Sequence, residues 1–149
     1  MIVKNKLALA TRVAAATAVA AGLALTLQPS AAMAAATAPV VSVSPASSLT
    51  DGQQVAVTAS GLTPNTVFHL GQCAFVEPGK YGCDAATAKD VVSDASGKIN
   101  TTIVVHSSFQ AVVGADRTVW GTVDAKATQT QVGLGSDAGE GGGQLVTFK

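Results

Sequence analysis

Charge, aromatic rings and histidine are all scarce in this 149-residue chain: Asp, Glu, Lys and Arg make up 12%, Phe, Trp and Tyr 4%, and there are two histidines. Each shortage closes off a class of chemistry. A hydrolase needs a nucleophile with a base in reach, and neither His69 nor His106 stands in a surrounding motif. His69 falls on the polar face of a strand-like run and His106 ends another, so both read as solvated or edge residues. The paired serines Ser47-Ser48 and Ser107-Ser108 read as turn or strand-edge hydroxyls. A zinc centre needs clustered ligands, whereas the only cysteines, Cys73 and Cys83, have no histidine pair beside them and do not follow a zinc spacing. Asp84, Asp90 and Asp94 lack the Gly-containing pattern of a cation loop and read as solvated turn residues. The run Gly139 to Gly143 has neither a strand-to-helix context nor a following Lys-Ser/Thr, so it reads as a flexible hairpin loop and not as a phosphate cradle.

Long apolar runs are also missing. The longest, Val13 to Leu27, is about 15 residues, short of the roughly 20 needed to cross the hydrocarbon core as a helix. It follows Lys4, Lys6 and Arg12 and leads through Gln28, Pro29 and Ser30 to the small residues Ala32-Met33-Ala34 and Ala34-Ala35-Ala36. Basic, apolar and small-residue regions in that order make a secretory signal peptide, residues 1–36, cleaved after Ala34 or Ala36. The expected product is a secreted domain, residues 37–149, that no membrane segment retains. Removing the leader takes three of the nine basic residues and none of the nine acidic ones, leaving six against nine, a formal charge of −3. That sign opposes the basic footprint of a protein that binds a nucleic-acid backbone. Export also places Cys73 and Cys83 in an oxidising compartment, where they are expected to pair with each other. A loop of this length, closed covalently, contributes about 2.5–3 kcal/mol on the chain-entropy estimate.

From Pro39 onward, short β-prone runs alternate with turn clusters, and no window carries a helical period. The expected strands are Val40 to Ser44, Gln54 to Ser60, Thr66 to Cys73, Asp90 to Ser93, Lys98 to His106, Thr118 to Asp124, Thr130 to Leu134 and Gln144 to Phe148. Several alternate apolar with polar residues: Val41 and Val43; Val55, Val57 and Ala59; Phe68 and Leu70; Ile99, Ile103 and Val105. Turn chemistry separates them at Thr50-Asp51-Gly52, Leu62-Thr63-Pro64-Asn65 and Asp94-Ala95-Ser96-Gly97. Seven or so strands at this spacing predict an all-β, immunoglobulin-like antiparallel sandwich, with a barrel as the alternative. Outside the clean alternation stand Phe75, Val76, Tyr81, Phe109, Val112 and Val113. On loops, these side chains either line a concave apolar site or cover the bottom of a thin sandwich.

Val43-Ser44-Pro45-Ala46-Ser47, Leu49-Thr50-Asp51-Gly52, Gly71-Gln72-Cys73-Ala74, Trp120-Gly121-Thr122-Val123-Asp124 and Gln131-Val132-Gly133-Leu134 together resemble the neocarzinostatin family of chromoproteins. The match runs in order from Pro39 to Phe148 and includes the spacing from Cys73 to Cys83. The resemblance implies a seven-stranded immunoglobulin-like sandwich with a small two-stranded ribbon. It also implies a cleft holding an apolar, aromatic enediyne chromophore without a covalent bond. The protein would be a monomeric carrier with no catalytic residues, no metal and no other cofactor, and the released chromophore, not the acidic protein, would contact and cut DNA. Proteolysis of basic proteins has been attributed to the family, but no catalytic constellation here supports it.

Carried over position by position, the resemblance implies ligand contacts at Phe75, Tyr81, Val112, Val113, Gln131, Gly133 and Gly135, over a floor that includes Cys73 and Cys83. It also marks departures. The family's second disulfide falls on Ala125 and Thr130 and is absent, Ala88 and Gly114 are small where some relatives place Phe, and one residue is inserted before Trp120. These departures imply a wider, less aromatic pocket and leave room for an alternative, an extracellular immunoglobulin-like interaction module that has lost the ligand.

Overall fold

Alternation of apolar and polar side chains every second residue fits only an extended backbone with one face covered. The covered positions follow that rule: Val55, Val57 and Ala59 are buried between more accessible neighbours, as are Ile103 and Val105. A computed structural model describes residues 38–149, and the predicted leader with its cleavage after Ala34 or Ala36 lies outside the described residues. The described residues form ten strands: β1 (Val40–Ser44), β2 (Gln53–Ser60), β3 (Val67–Glu77), β4 (Lys80–Asp84), β5 (Lys89–Val92), β6 (Ile99–Val105), β7 (Ser108–Val113), β8 (Thr118–Asp124), β9 (Thr130–Gly135) and β10 (Gly141–Val146).

The expected all-β antiparallel sandwich is the fold observed. One sheet has the order β1-β2-β6; the larger runs β10-β9-β3-β4-β7-β8, with β5 also paired to β3. Strand β3 is the spine of the larger sheet. Along one edge its first half pairs with β5, from Val67 opposite Val92 to Leu70 opposite Lys89, and its second half pairs with β4, from Cys73 opposite Cys83 to Glu77 opposite Lys80. Along the other edge it pairs with β9.

The main core fills the space between the sheets with Leu49, Val55, Val57, Phe68, Leu70, Val105 and Val132, none more than 1% exposed. Burying a side chain the size of Phe68 contributes about 1.5–3 kcal/mol. A second, smaller cluster of Ala74, Phe109, Ala111, Val123 and Ala125 lies under the β3–β4 and β7–β8 hairpins, and Phe148 packs against both clusters.

Three features differ from the sequence reading. Strands β4 and β7 occupy segments taken as loops, so the apolar groups there are strand residues; Phe109 packs in the second core and does not line a surface. The run Gly139–Gly143 is not all loop: β10 begins at Gly141, opposite Gly135, and the turn is Ser136 to Glu140, closed by Ser136 N donating to Glu140 O at 2.8 Å. Side-chain-free backbones approach closely there, since a Cβ at Gly133 would sit 3.0 Å from the Gly142 oxygen. Asp84, finally, is 1% exposed and not a solvated turn residue. Its Oδ1 accepts Ala86 N at 2.9 Å, and its Oδ2 accepts Thr87 Oγ1 at 2.9 Å and faces His106 Nδ1 at 2.8 Å. A buried carboxylate persists only with such partners, and His106 is thereby a half-buried structural residue.

The predicted turns form. Gly97 has φ 71°, and a Cβ there would run into the Leu62 carbonyl, so only glycine fits. Asp94 Oδ1 ties the same turn by accepting Ser96 N at 2.8 Å and Lys98 N at 2.9 Å.

Candidate functional site

Because strand residues alternate faces, every residue of the larger sheet that does not point into the core points to one outer surface. On β3 that set is His69, Gly71, Cys73 and Phe75. The register places Asp90 and Gly135 beside His69, Gly133 beside Gly71, Gln131 and Cys83 beside Cys73, Tyr81 beside Phe75, and Val112 beside Cys83. One face of the sheet therefore gathers residues that are up to 66 positions apart in sequence, from His69 to Gly135.

A cleft of about 770 Å³ is sunk into this face, lined among others by His69, Gly71, Cys73, Tyr81, Cys83, Ala88, Asp90, Val112, Gly114, Arg117 and Asp137. Its size is that of a small-molecule site. The floor is the Cys73–Cys83 disulfide, formed across directly opposed residues with Cα atoms 3.9 Å apart. Gly71 lies in the floor as well: a Cβ there would touch Cys73 Sγ at 3.6 Å, Ala88 Cβ at 3.7 Å and Cys83 Cβ at 3.8 Å. The small residues Gly71, Ala88, Gly114 and Ala115 give the cleft its depth. At one end Tyr81 forms the wall and is backed by Phe75, ring centroids 4.0 Å apart with planes tilted by 39°.

The opposite end is polar. His69 Nδ1 lies 2.7 Å from Asp90 Oδ1 and its Nε2 lies 3.0 Å from Asp137 Oδ1. Hydrogen bonds to Asp90 first and Asp137 second raise the His69 pKa above the ordinary imidazole value. The two lining cations are turned onto backbone: Lys89 Nζ donates to Thr102 O, and Arg117 Nη2 to Ala85 O at 3.1 Å. Among the described residues no cluster of three or more His, Cys, Asp and Glu side chains is arranged to hold a metal ion.

Of the residues named from the sequence, Tyr81, Val112, Cys73 and Cys83 line the cleft. Phe75 supports Tyr81 from the outer, more exposed side. Gln131, Gly133 and Gly135 share the face but stand beside the cleft on β9, and Val113 takes the alternate side of β7 from Val112. Sequence reasoning missed His69, Asp90, Arg117 and Asp137. A signal for the first was present, since the alternation that puts Cys73 on the face also puts Gly71 and His69 there.

Three comparisons bear on this architecture. A family model described as the neocarzinostatin family matches residues 41–148. Macromomycin of Streptomyces macromomyceticus is 52% identical over 147 residues, covering 99% of each chain. The antitumor antibiotic C-1027 apoprotein of Streptomyces globisporus is 36% identical over 107 residues, 72% of this chain and 73% of that one. A solved structure of macromomycin superimposes with a TM-score of 0.74 at 61% identity, covering 75% of this chain and all of the solved one.

Proposed function

The chain belongs to the neocarzinostatin family, and on that premise we propose that it is a secreted apoprotein. In this reading it holds an apolar, aromatic enediyne-type chromophore in the cleft without a covalent bond. The observation that carries the reading is the cleft itself: about 770 Å³, floored by a disulfide and glycine and walled by Tyr81 and Val112. The floor and the Tyr81 end are apolar, and the polar groups gather at the opposite end around His69. The apolar part suits a flat apolar ligand, because each 100 Å² of apolar area removed from water contributes roughly 2.5 kcal/mol.

In this role the protein is a carrier and not an enzyme. Tyr81 and Val112 flank the ligand, Cys73 and Cys83 lie beneath it, and Phe75 holds the Tyr81 ring in place. Gln131, Gly133 and Gly135 extend the same face for the ligand's periphery, and Val113 fixes the strand that carries Val112. Small Ala88 and Gly114 leave space that a larger ligand fills. Enclosure keeps water and thiols from the chromophore, and DNA is reached by the released ligand. The charge of −3 on residues 37–149 suits that division of labour. Export is supported by the relatives: macromomycin aligns over 99% of this chain, but its solved chain, fully covered, matches 75%. The difference is about the length of the proposed leader.

The test is a titration of the oxidised domain, residues 37–149, with 2-acetonaphthone, an apolar aromatic that carries no titratable group, followed by Tyr81 fluorescence and by amide NMR shifts. Saturable change mapped to Gly71, Tyr81, Cys83 and Val112 is the expected result. No saturable change up to high micromolar probe overturns the proposal.

A further inference from the structure

The polar end of the cleft contains an arrangement that a neutral histidine cannot satisfy. Neutral imidazole has one N–H and one lone pair, whereas both ring nitrogens of His69 face carboxylate oxygens, Asp90 at 2.7 Å and Asp137 at 3.0 Å. Carboxylates only accept, so both bonds exist together only when both nitrogens carry protons. The backbone makes the second bond reachable. His69 lies opposite Gly135 on β9, and the absence of a side chain there leaves the ring free to extend toward the turn from Ser136 to Glu140.

We propose that His69 is a positioning residue that pins Asp137, and with it the turn between β9 and β10, against one end of the cleft when protonated, so that pH tunes how tightly the cleft holds an uncharged ligand. This rests on the carrier reading above. Among the described residues the turn has two side-chain anchors to other segments. On its far flank Glu140 Oε1 accepts Thr63 N at 2.8 Å, an attachment that does not depend on the histidine. On the cleft flank the only side-chain anchor among the described residues is Asp137 to His69. Asp137 lines the cleft, so fixing it removes a side-chain freedom that ligand binding would otherwise have to restrict.

The charged groups around His69 are few. Asp90 approaches from β5 and Asp137 from the β9–β10 turn, and both favour the imidazolium. Lys89 of β5 and Arg117 of the β7–β8 turn also line the cleft but are directed at the Thr102 and Ala85 carbonyls. Raised above its usual value of about 6.5, the histidine holds both carboxylates fully below that pH and loses one as pH rises through its folded pKa. Asp137 is the partner released, being the more distant and, at 96% side-chain exposure, the more readily hydrated. An exposed pair of this kind changes affinity by about two- to fivefold.

The experiment uses the oxidised domain, residues 37–149. The imidazole resonances of His69 and the Asp137 amide are followed by NMR from pH 5 to 9, without ligand, in the wild type and in Asp137→Asn and Asp90→Asn. In parallel, 2-acetonaphthone affinity is measured at pH 5.5 and 8.5. Expected are a His69 midpoint above the ordinary value, shared by the Asp137 amide and lowered in both variants, and a two- to fivefold loss of affinity at pH 8.5 that Asp137→Asn abolishes. A His69 that titrates at the ordinary value, or an affinity change that persists in Asp137→Asn, overturns the inference. Absence of probe binding at every pH, with the NMR coupling intact, overturns the carrier reading and with it the ligand half of the inference, leaving the clip established.

Discussion

Gln72 and the His106 backbone exchange two hydrogen bonds, Nε2 to the carbonyl at 2.8 Å and the amide N–H to Oε1 at 2.7 Å. A side-chain amide of β3 here takes the place of a neighbouring strand where β6 gives way to β7. Gln72 is fully buried, so its amide is worth ordering only because both ends are satisfied. Replacing it by Leu strands the His106 N–H and C=O together, each costing about 1–3 kcal/mol when unpaired. Gln72→Leu is therefore expected to lower the unfolding free energy by about 2–4 kcal/mol in urea denaturation. A loss under 0.5 kcal/mol would mean that water reaches these groups.

That corner also shows where the sequence could be read and where it could not. Strands with a bounding turn and a clean period, such as β2 and β6, were legible, because alternation and Gly or Asn at the turn are local properties. Strand β7 follows β6 across His106-Ser107 with no Gly, Pro or Asn to mark the break, and β4 is five residues that include a glycine and a cysteine. Neither has enough periodicity to declare itself. The site was legible in part for the same reason. Tyr81, Val112 and the cysteines stand out by type, whereas the partners of His69 are 21 and 68 residues away and only the sheet register brings them together. Asp84 carried a local hint, the Asx turn to Ala86, but its third partner, His106, is 22 residues on.

Trp120 on β8 reports on another part of the same sheet. Its Nε1 donates to Glu77 Oε1 at 2.9 Å, while Lys80 Nζ holds Oε2 at 2.8 Å. Lys80 first and Trp120 second depress the Glu77 pKa below its ordinary 4.5. A depressed carboxylate keeps its bonds above the unfolded value and loses them as pH falls through the folded one. Trp120 emission is therefore expected to be flat from pH 7 to 5 and to change with a midpoint below 4.5. The change should vanish in Glu77→Gln; its persistence there would assign the titration to another carboxylate.

Thr130 of β9 is a buried polar residue, 1% exposed. Its Oγ1 is buried with no hydrogen-bond partner, although its backbone pairs with Ala74 and Val146 in the sheet. An orphaned hydroxyl costs about 1–3 kcal/mol of desolvation, part of which thermal relaxation recovers. Thr130→Val keeps the shape and removes the hydroxyl. The unfolding midpoint is expected to rise by a few degrees, corresponding to about 1 kcal/mol. A fall in midpoint would show that the hydroxyl is hydrogen-bonded in solution.

Two glycines on opposite faces of the β3–β4 pair separate binding from folding. At Gly82 a Cβ would point into the second core, 2.8 Å from Val76 Cγ1 and 2.9 Å from Ala111 Cβ. Those neighbours are held on two strands, Val76 on β3 and Ala111 on β7, and cannot both move aside, so Gly82→Ala is expected to cost about 1–3 kcal/mol by overpacking. At Gly71 the Cβ would meet only ordinary contacts, 3.6–3.8 Å from the disulfide and Ala88, and would point into the cleft. Gly71→Leu should accordingly leave the unfolding free energy within about 1 kcal/mol of wild type while filling the floor where an apolar ligand would lie. Measured together, urea midpoints and 2-acetonaphthone titrations should move in opposite patterns: stability lost at position 82 with residual binding in the folded fraction, binding lost at position 71 with stability kept. Probe affinity unchanged in a folded Gly71→Leu would place the ligand somewhere other than on the disulfide floor.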